Sequence, residues 1–278
     1  MKITNLQDLT IAEIIDCLLI SFEGYFVQMP NDLDYWTNRF KTSRINQTLS
    51  YGVFDQGKLV AFINNGIDDW HGKKTAFNCG TGVIPAYRGQ GLVDQMYQYA
   101  IPELQKNDVT RCALEVIQAN ERAIRVYERI GFHTVKSLPC FKGKLNFSDP
   151  TVQIKLVDFK VFQQANLVNQ SNYAWDNVDE AVEMGKAFYQ TYQVTTAGKT
   201  IGYFVVNPEN GYLPQVELVV GDTFHNWKKL FSGVQQISKV AKINNVDGRR
   251  TNFVSHLEAL GLEIPLSQYE MEMNIDEK

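Results

Sequence analysis

The stretch from Cys79 to Val93 constrains this chain more than any other. It reads Cys-Gly-Thr-Gly-Val-Ile-Pro-Ala-Tyr-Arg-Gly-Gln-Gly-Leu-Val. Phe77 to Ile84 predicts a strand, Pro85-Ala86 a turn, and the residues after Gly91 a helix. On that helix Leu92, Met96, Ala100 and Leu104 recur every four residues on one face, with Val93 and Tyr97 alongside. The first N–H groups of a helix have no internal partners, and the macrodipole is positive there. Glycines at 89 and 91 remove the Cβ atoms that would hold an anion away from those groups. Strand, glycine-punctuated turn and helix start together predict a pyrophosphate cradle.

Known phosphate loops narrow the reading. A P-loop needs a lysine after its last glycine, and none follows Gly91. The dinucleotide fingerprint needs a third glycine, which Val93, Asp94 and Gln95 do not supply. What remains resembles the acyl-CoA-binding signature of the GNAT acetyltransferases, Gln/Arg-x-x-Gly-x-Gly/Ala. Here it runs Arg88-Gly89-Gln90-Gly91-Leu92-Val93, with Val93 where Gly or Ala is usual. A second block is similar to the other half of that signature. Leu114-Glu115-Val116 reads as a short strand, followed by Asn120 and a helical run that carries Tyr127 and closes at Gly131-Phe132. Local physics agrees, because Asn120 is a good N-cap and Gly131 a good residue just past the helix end. Ala123, Ile124, Tyr127 and Ile130 make one helix face.

The rest of the first half supports the same architecture. Met1–Asn5 predicts a strand, and Thr10 with Glu13 a capping box with Leu9 and Ile14 as its staple. The helix that follows has a wide apolar face from Ile11 to Phe22, and Asp32–Ser43 predicts a second helix. Leu49–Phe54 and Lys58–Ile67 read as strands of a hairpin turned at Asp55-Gln56-Gly57. Asp68 to Gly72 predicts the next turn, with His71 on the surface, and Lys73–Ile84 the strand that feeds the cradle. Pro102 is expected to kink or shorten the long helix. Phe132–Lys144 continues as a strand, and Asn146–Pro150 is the expected domain boundary.

Beyond it the order repeats. Helices are expected at about Asp158–Val168 and Asn177–Tyr189, then strands at Tyr192–Thr196, Thr200–Asn207 and Val216–Val220. A helix (Trp227–Ile237), a strand (Val240–Asn244), a helix ending at Leu260-Gly261-Leu262 and a strand (Ser267–Ile275) complete the set. The closing glycines Gly131 and Gly261 match in this order, so the expected fold is α/β (α+β). It is two tandem GNAT-like domains, each a mixed, mostly antiparallel sheet with helices on both faces. The expected domains are 1–148, binding acetyl-CoA, and 149–278, a degenerate copy without the cradle.

Composition narrows the partners. Hydrophobic residues make up 44% and charged ones 21%, a globular composition. No apolar run approaches the roughly 18 residues of a membrane span, and the N-terminus does not read as a signal peptide. The four cysteines form no CxxC pair, so neither a metal nor a disulfide framework is expected. A net charge of −4 argues against nucleic acid. Residues 1–149 hold 16 basic and 16 acidic side chains, so the whole deficit lies in the second half. These features predict a cytoplasmic protein, monomer or homodimer, with no nucleic acid or membrane as partner.

The resemblance implies a site. In the family, acyl-CoA lies where two strands splay apart, its pantetheine pairing with backbone at Thr81, Gly82 and Val83. Its pyrophosphate would sit on the N–H groups of Arg88, Gly89, Gln90, Gly91, Leu92 and Val93, and Asn120 would hydrogen-bond the pantetheine arm. Tyr127 stands where the family places its general acid for the departing thiolate. Phe22, Glu23 and Tyr25 fall in the region that lines the acceptor pocket. For the general base, Glu115, Glu23 and a water chain stay open. The implied function is acetyl-CoA-dependent, metal-free N-acetyl transfer to an amine of a small molecule or peptide. A catalytically silent acyl-CoA sensor or interaction module is the alternative.

Overall fold

The computed structural model describes residues 1–165 and 169–276. The chain folds as two compact units, one of Met1–Val135 with the residues from Glu270 on, the other of Lys136–Tyr269. In sequence order the first unit holds β1 (Lys2–Asn5), α1 (Ile11–Ser21), α2 (Leu33–Thr42), β2 (Tyr51–Asp55) and β3 (Lys58–Trp70). These are followed by β4 (Lys73–Val83), α3 (Leu92–Gln105), β5 (Arg111–Ile117) and α4 (Glu121–Ile130). β6 (His133–Lys144) then carries the chain into the second unit. That unit holds β7 (Val152–Val157), α5 (Lys160–Ala165), α6 (Asp179–Met184), β8 (Gln190–Thr196), β9 (Lys199–Asn207) and β10 (Tyr212–Leu218). It ends with α7 (Phe224–Ile237), β11 (Val240–Ile243), α8 (Thr251–Ala259) and the start of β12 (Glu263–Asn274).

The strands of the first unit lie in the order β1-β2-β3-β4-β5, and the C-terminal end of β12 follows β5. In the second unit the order is β7-β8-β9-β10-β11-β6. β1-β2, β2-β3, β3-β4, β7-β8, β8-β9, β9-β10 and β6-β11 pair antiparallel, while β4-β5 and β10-β11 pair in parallel. Each unit is thus a mixed, mostly antiparallel sheet whose closing strand comes from the other half of the sequence. The expected division at 148/149 differs from this path. The strand after α4 runs on without a break into the second unit, and the residues after Tyr269 return to the first.

Helices cover both faces. In the first unit Ile14, Leu18, Trp36, Phe40 and Phe62 form one cluster under α1 and α2. α3 buries Leu92, Met96, Ala100 and Leu104, as its four-residue spacing predicts. Each such Leu or Met contributes roughly 1.5–3 kcal/mol, so the helix start is anchored from behind. The helix continues three residues past Pro102, so the proline neither ends it nor shortens it appreciably. In the second unit alternation along β9 sends Tyr203 and Val205 to one face and Phe204 and Val206 to the other. Phe162 of α5 stacks on Tyr203 at 4.1 Å, and α7 packs over Phe204.

Several expected boundaries move. The capping box at Thr10 forms as predicted, and Asp32, expected inside the second helix, is its N-cap. The hairpin turns at Gln56-Gly57 and Ala197-Gly198 form too, with positive φ at both residues of each. Asp68 to Trp70, expected in a turn, belong to β3, and the turn is His71-Gly72 alone. The expected helix at 177–189 shortens to α6 and a 3₁₀ turn. Of the expected helix at 158–168, residues 160–165 are helical and 166–168 lie outside the described residues. β7 was not expected. It stands where β1 stands in the first unit, at the edge of the sheet, and completes the repeat.

Candidate active site

The predicted cradle lies at a fork between strands. β4 and β5 pair in parallel from Thr75↔Arg111 to Asn78↔Leu114, and there the pairing ends. β4 runs on to Val83 and β5 to Ile117, so Thr81, Gly82 and Val83 all lie beyond the last pair. A bulge causes the parting. On the β3 side Asn65 pairs with Asn78 but Asn64 pairs with Gly80, leaving Cys79 as an extra residue that turns the strand. The base of the fork is fixed by Arg111, which is buried, bonds Thr75 at 3.0 Å and pairs with Glu272 at 2.9 Å. Its guanidinium also lies over Trp70 at 4.9 Å. Gly82 is needed where it stands, since a Cβ there would lie 2.5 Å from the Phe62 ring.

At the mouth of the fork α3 begins. Its N-cap, Gly91, has φ +69° and no side chain caps the first turn. Gly89 also has positive φ, and a Cβ built on it would touch nothing. The N–H groups of Gly89 to Val93 therefore sit at an uncapped helix start with no side chain in front of the two glycines. The Arg88 side chain plays another part than a phosphate ligand. It donates to the carbonyls of Val83 at 3.2 Å and Ser21 at 3.0 Å, tying the loop to the end of β4 and of α1. Asp94 in the first turn would oppose an anion, but Arg129 of α4 grips it through two bonds of 2.7 Å. That guanidinium holds the Asp94 carboxyl below its usual range.

Tyr127 reaches the fork from α4. Its hydroxyl lies 3.5 Å from the Asn78 amide nitrogen. Burial pushes its pKa up. Phe132, beyond the closing glycine, packs edge-on against the rings of Tyr127 at 5.7 Å and Tyr97 at 5.4 Å. The Gly-Phe pair thus sets the tyrosine as well as the helix end. Asn120 caps α4 by accepting from Ala123 at 3.2 Å, and its amide donates to the Tyr25 hydroxyl at 3.4 Å. Tyr25 meets Phe22 edge-on at 4.8 Å, so these two expected pocket residues lie together beside Asn120. Glu23 is exposed in the same turn, whereas Glu115 is half-buried and is the first residue of β5 past the last pair.

Two polar residues here escaped the sequence reading. Asn78, in an otherwise apolar run, donates to Thr81 at 2.7 Å and to the Tyr97 hydroxyl at 3.0 Å. Tyr97 is buried, and burial raises its pKa well above the ordinary value. The signal was a buried asparagine in a strand, which must have partners. The cysteines hold no disulfide, and Cys17, Cys112 and Cys140 are buried. Burial pushes the Cys112 thiol up to about 12 and Cys17 to about 11. Among the described residues no helix is long and apolar enough to cross a membrane, and no three His, Cys, Asp or Glu side chains could hold a metal together.

Comparison with known proteins agrees with this geometry. The model of the acetyltransferase (GNAT) family matches residues 13–132, which hold the fork, the cradle and Tyr127. This segment belongs to the GNAT family. Among curated proteins, the chain is 33% identical over 100 residues to ribosomal protein bS18-alanine N-acetyltransferase of Escherichia coli strain K12. The match covers 35% of this chain and 64% of that enzyme's length. Among solved structures, a tandem GNAT protein from the clavulanic acid biosynthesis pathway superposes with TM-score 0.69 at 13% identity, covering 100% of this chain and 99% of that one. A GCN5-related N-acetyltransferase from Sphaerobacter thermophilus gives 0.67 at 11%, covering 99% and 96%. At such identities the likeness is one of fold, and the fold is that of two GNAT domains in tandem.

Proposed function

We propose that this chain is an acetyl-CoA-dependent N-acetyltransferase that moves an acetyl group directly to an amine of a small molecule or peptide. In this reading the first half (1–148) binds the donor, the second (149–278) is a degenerate copy, and the protein works in the cytoplasm. The observation that carries it is the fork. β4 ends unpaired toward β5, an uncapped helix start with two positive-φ glycines faces its mouth, and a tyrosine hydroxyl lies at its base.

These residues fit acetyl-CoA. Gly89 and Gly91 keep positive φ at the uncapped helix start, and a Cβ on Gly89 would meet only open space, which leaves room for a pyrophosphate there. Thr81, Gly82 and Val83 offer backbone past the last pair for a pantetheine arm, with Asn120 beside it. When bound, acetyl-CoA supplies a thioester, so the protein has little bond chemistry left to provide. Phe22, Glu23 and Tyr25 hold the amine, and exclusion of water keeps it oriented. The backbone N–H near Val83 stabilises charge gathering on the carbonyl oxygen. Tyr127 gives its proton to the departing sulfur; the amine sheds one to a base (Glu115, Glu23 or a water chain), from which it returns to the Tyr127 phenolate. Raising of its pKa by burial keeps the phenol protonated at neutral pH.

The curated relative named for a ribosomal-protein alanine supports polypeptide α-amines as the first acceptors to try. Calorimetry with acetyl-CoA, followed by thiol release over peptide N-termini, polyamines and amino acids, tests the reading. Binding with release on at least one amine is expected. Binding with no release on any of them would favour the silent sensor instead.

A further inference from the structure

We propose that Asn78 is a positioning residue for the transfer, orienting the Tyr127 hydroxyl so that its proton points into the fork. This rests on the reading of Tyr127 as the acid. Asn78 stands at the one place that sees everything needed. It is the last residue of β4 paired with β5, directly before the bulge at Cys79, and only 7% exposed.

The orientation of its amide is fixed by chemistry. Asn78 Oδ1 lies 3.0 Å from the Gly80 N–H, which can only donate. The oxygen must therefore face Gly80 and the nitrogen the three hydroxyls, because a flipped amide would set donor against donor. Asn78 Nδ2 then donates to Thr81 Oγ1 at 2.7 Å and Tyr97 Oη at 3.0 Å, with Tyr127 Oη at 3.5 Å. An amide nitrogen has two hydrogens, so the Tyr127 oxygen shares one of them with a neighbouring hydroxyl. On the Asn78 side, then, the Tyr127 oxygen meets a donor. Its own proton must point elsewhere, toward the unpaired part of the fork. The same donor stabilises the phenolate once that proton is given up.

Asn78→Asp is the discriminating change. It keeps the size and the acceptor for Gly80, but replaces the donor nitrogen with an acceptor. Thr81 and Tyr127 would then turn their protons toward residue 78 and away from the fork. In the full-length protein, turnover is expected to fall by about 10²-fold, the scale of a lost general acid. Acetyl-CoA affinity by calorimetry should stay within about threefold. The decisive readout is the cycle with Tyr127→Phe, where adding Asn78→Asp should cost little more, as residues acting as a unit do. Losses that multiply in the double variant would overturn the proposal, since a merely structural asparagine would harm both backgrounds alike. If Asn78→Asp does not fold, Asn78→Ala enters the same cycle with the same two outcomes. Unchanged turnover in Tyr127→Phe alone would instead overturn the acid assignment itself.

Discussion

The chain contains two forks built on one plan, and side chains bridge the second of them. In the first unit β4 parts from β5 after a bulge at Cys79. In the second, β10 has a bulge between Tyr212 and Gln215 and pairs with β11 at Tyr212↔Lys242 alone. Across the second fork Asn177 acts as a staple. It accepts from the Tyr212 hydroxyl on β10, donates to the carbonyl of Asn244 past β11 at 3.1 Å, and its own carbonyl accepts from Gln215 at 2.9 Å. Beside it Glu217 takes the Tyr173 hydroxyl at 2.7 Å and pairs with Arg250 at 2.8 Å. The same backbone irregularity thus serves two ends. Where glycines and an uncapped helix follow it, the parting strands can admit a ligand; where Asn, Glu and Arg follow, those side chains bridge the strands around a small cavity lined by Pro214, Val216, Ile243 and Asn244. A fold repeat alone says nothing about which end is served.

The comparison breaks most sharply at the cradle. Gly91→Glu would put a carboxylate against the helix start, and acetyl-CoA binding should fall below detection. Because φ is +69° there, any side chain adds strain of about 1–3 kcal/mol, so Gly91→Ala is the control. Calorimetry should give weakened binding for Gly91→Ala and none for Gly91→Glu. Equal affinity in Gly91→Glu and the unaltered protein would sink the cradle.

Next in size is the acid. Tyr127→Phe removes one hydroxyl and leaves the ring against Phe132, so donor affinity should persist while turnover falls by about 10²-fold. Rates that match the unaltered enzyme would return Tyr127 to a packing role. The staple of the second fork should act in the opposite sense. Asn177→Ala removes an acceptor of the Tyr212 hydroxyl and a donor to the Asn244 carbonyl, and should cost about 1–3 kcal/mol of stability. Thermal unfolding would register the loss, and acetyl-CoA affinity should not move. A change in affinity without a change in Tm would mean the two forks were misassigned.

Much of this was legible in the sequence, and the exceptions have physical causes. The glycine turn and the helix start could be read because their parts are local: a turn, two glycines and an apolar stripe within 30 residues. The position of the fork could not, since alternation says which face a residue takes and nothing about where pairing stops. Asn78 was missed for a related reason. Its partners are 3, 19 and 49 residues away, and no periodicity joins them. β7 was missed because it is an edge strand with Leu156 59% exposed, so its apolar pattern is weak, and it follows Asp149-Pro150, which reads as linker. In the first unit β1 was found more easily because a capping box follows it closely.

The smallest expected signal is that of the second unit, which should bind no CoA, so that the full chain binds one. Its strand-to-helix turn reads Gly221-Asp222-Thr223-Phe224-His225-Asn226. Thr223 occupies the cap and accepts from the Asn226 N–H at 3.3 Å, so a side chain stands where the first unit has bare glycine. Asn226 folds back on the Gly221 carbonyl at 2.7 Å, as Gln95 does on the Gln90 carbonyl at 3.1 Å, so the difference lies in the cap and the carboxylate. Asp222 accepts from the Trp227 indole at 2.7 Å, which fixes a carboxylate at the point where a pyrophosphate would need to approach. The acid is missing too. Leu257, which aligns with Tyr127 when Gly261 is set on Gly131, is fully buried and carries no proton to give. The features proposed to bind the donor at the first fork are therefore replaced by a capped helix start, a fixed carboxylate and a leucine. Calorimetry of the full chain should return a stoichiometry near one, and Gly91→Glu should remove all of it. A value near two, or binding that survives Gly91→Glu, would place a second donor site in the bridged fork and erase the contrast between the two.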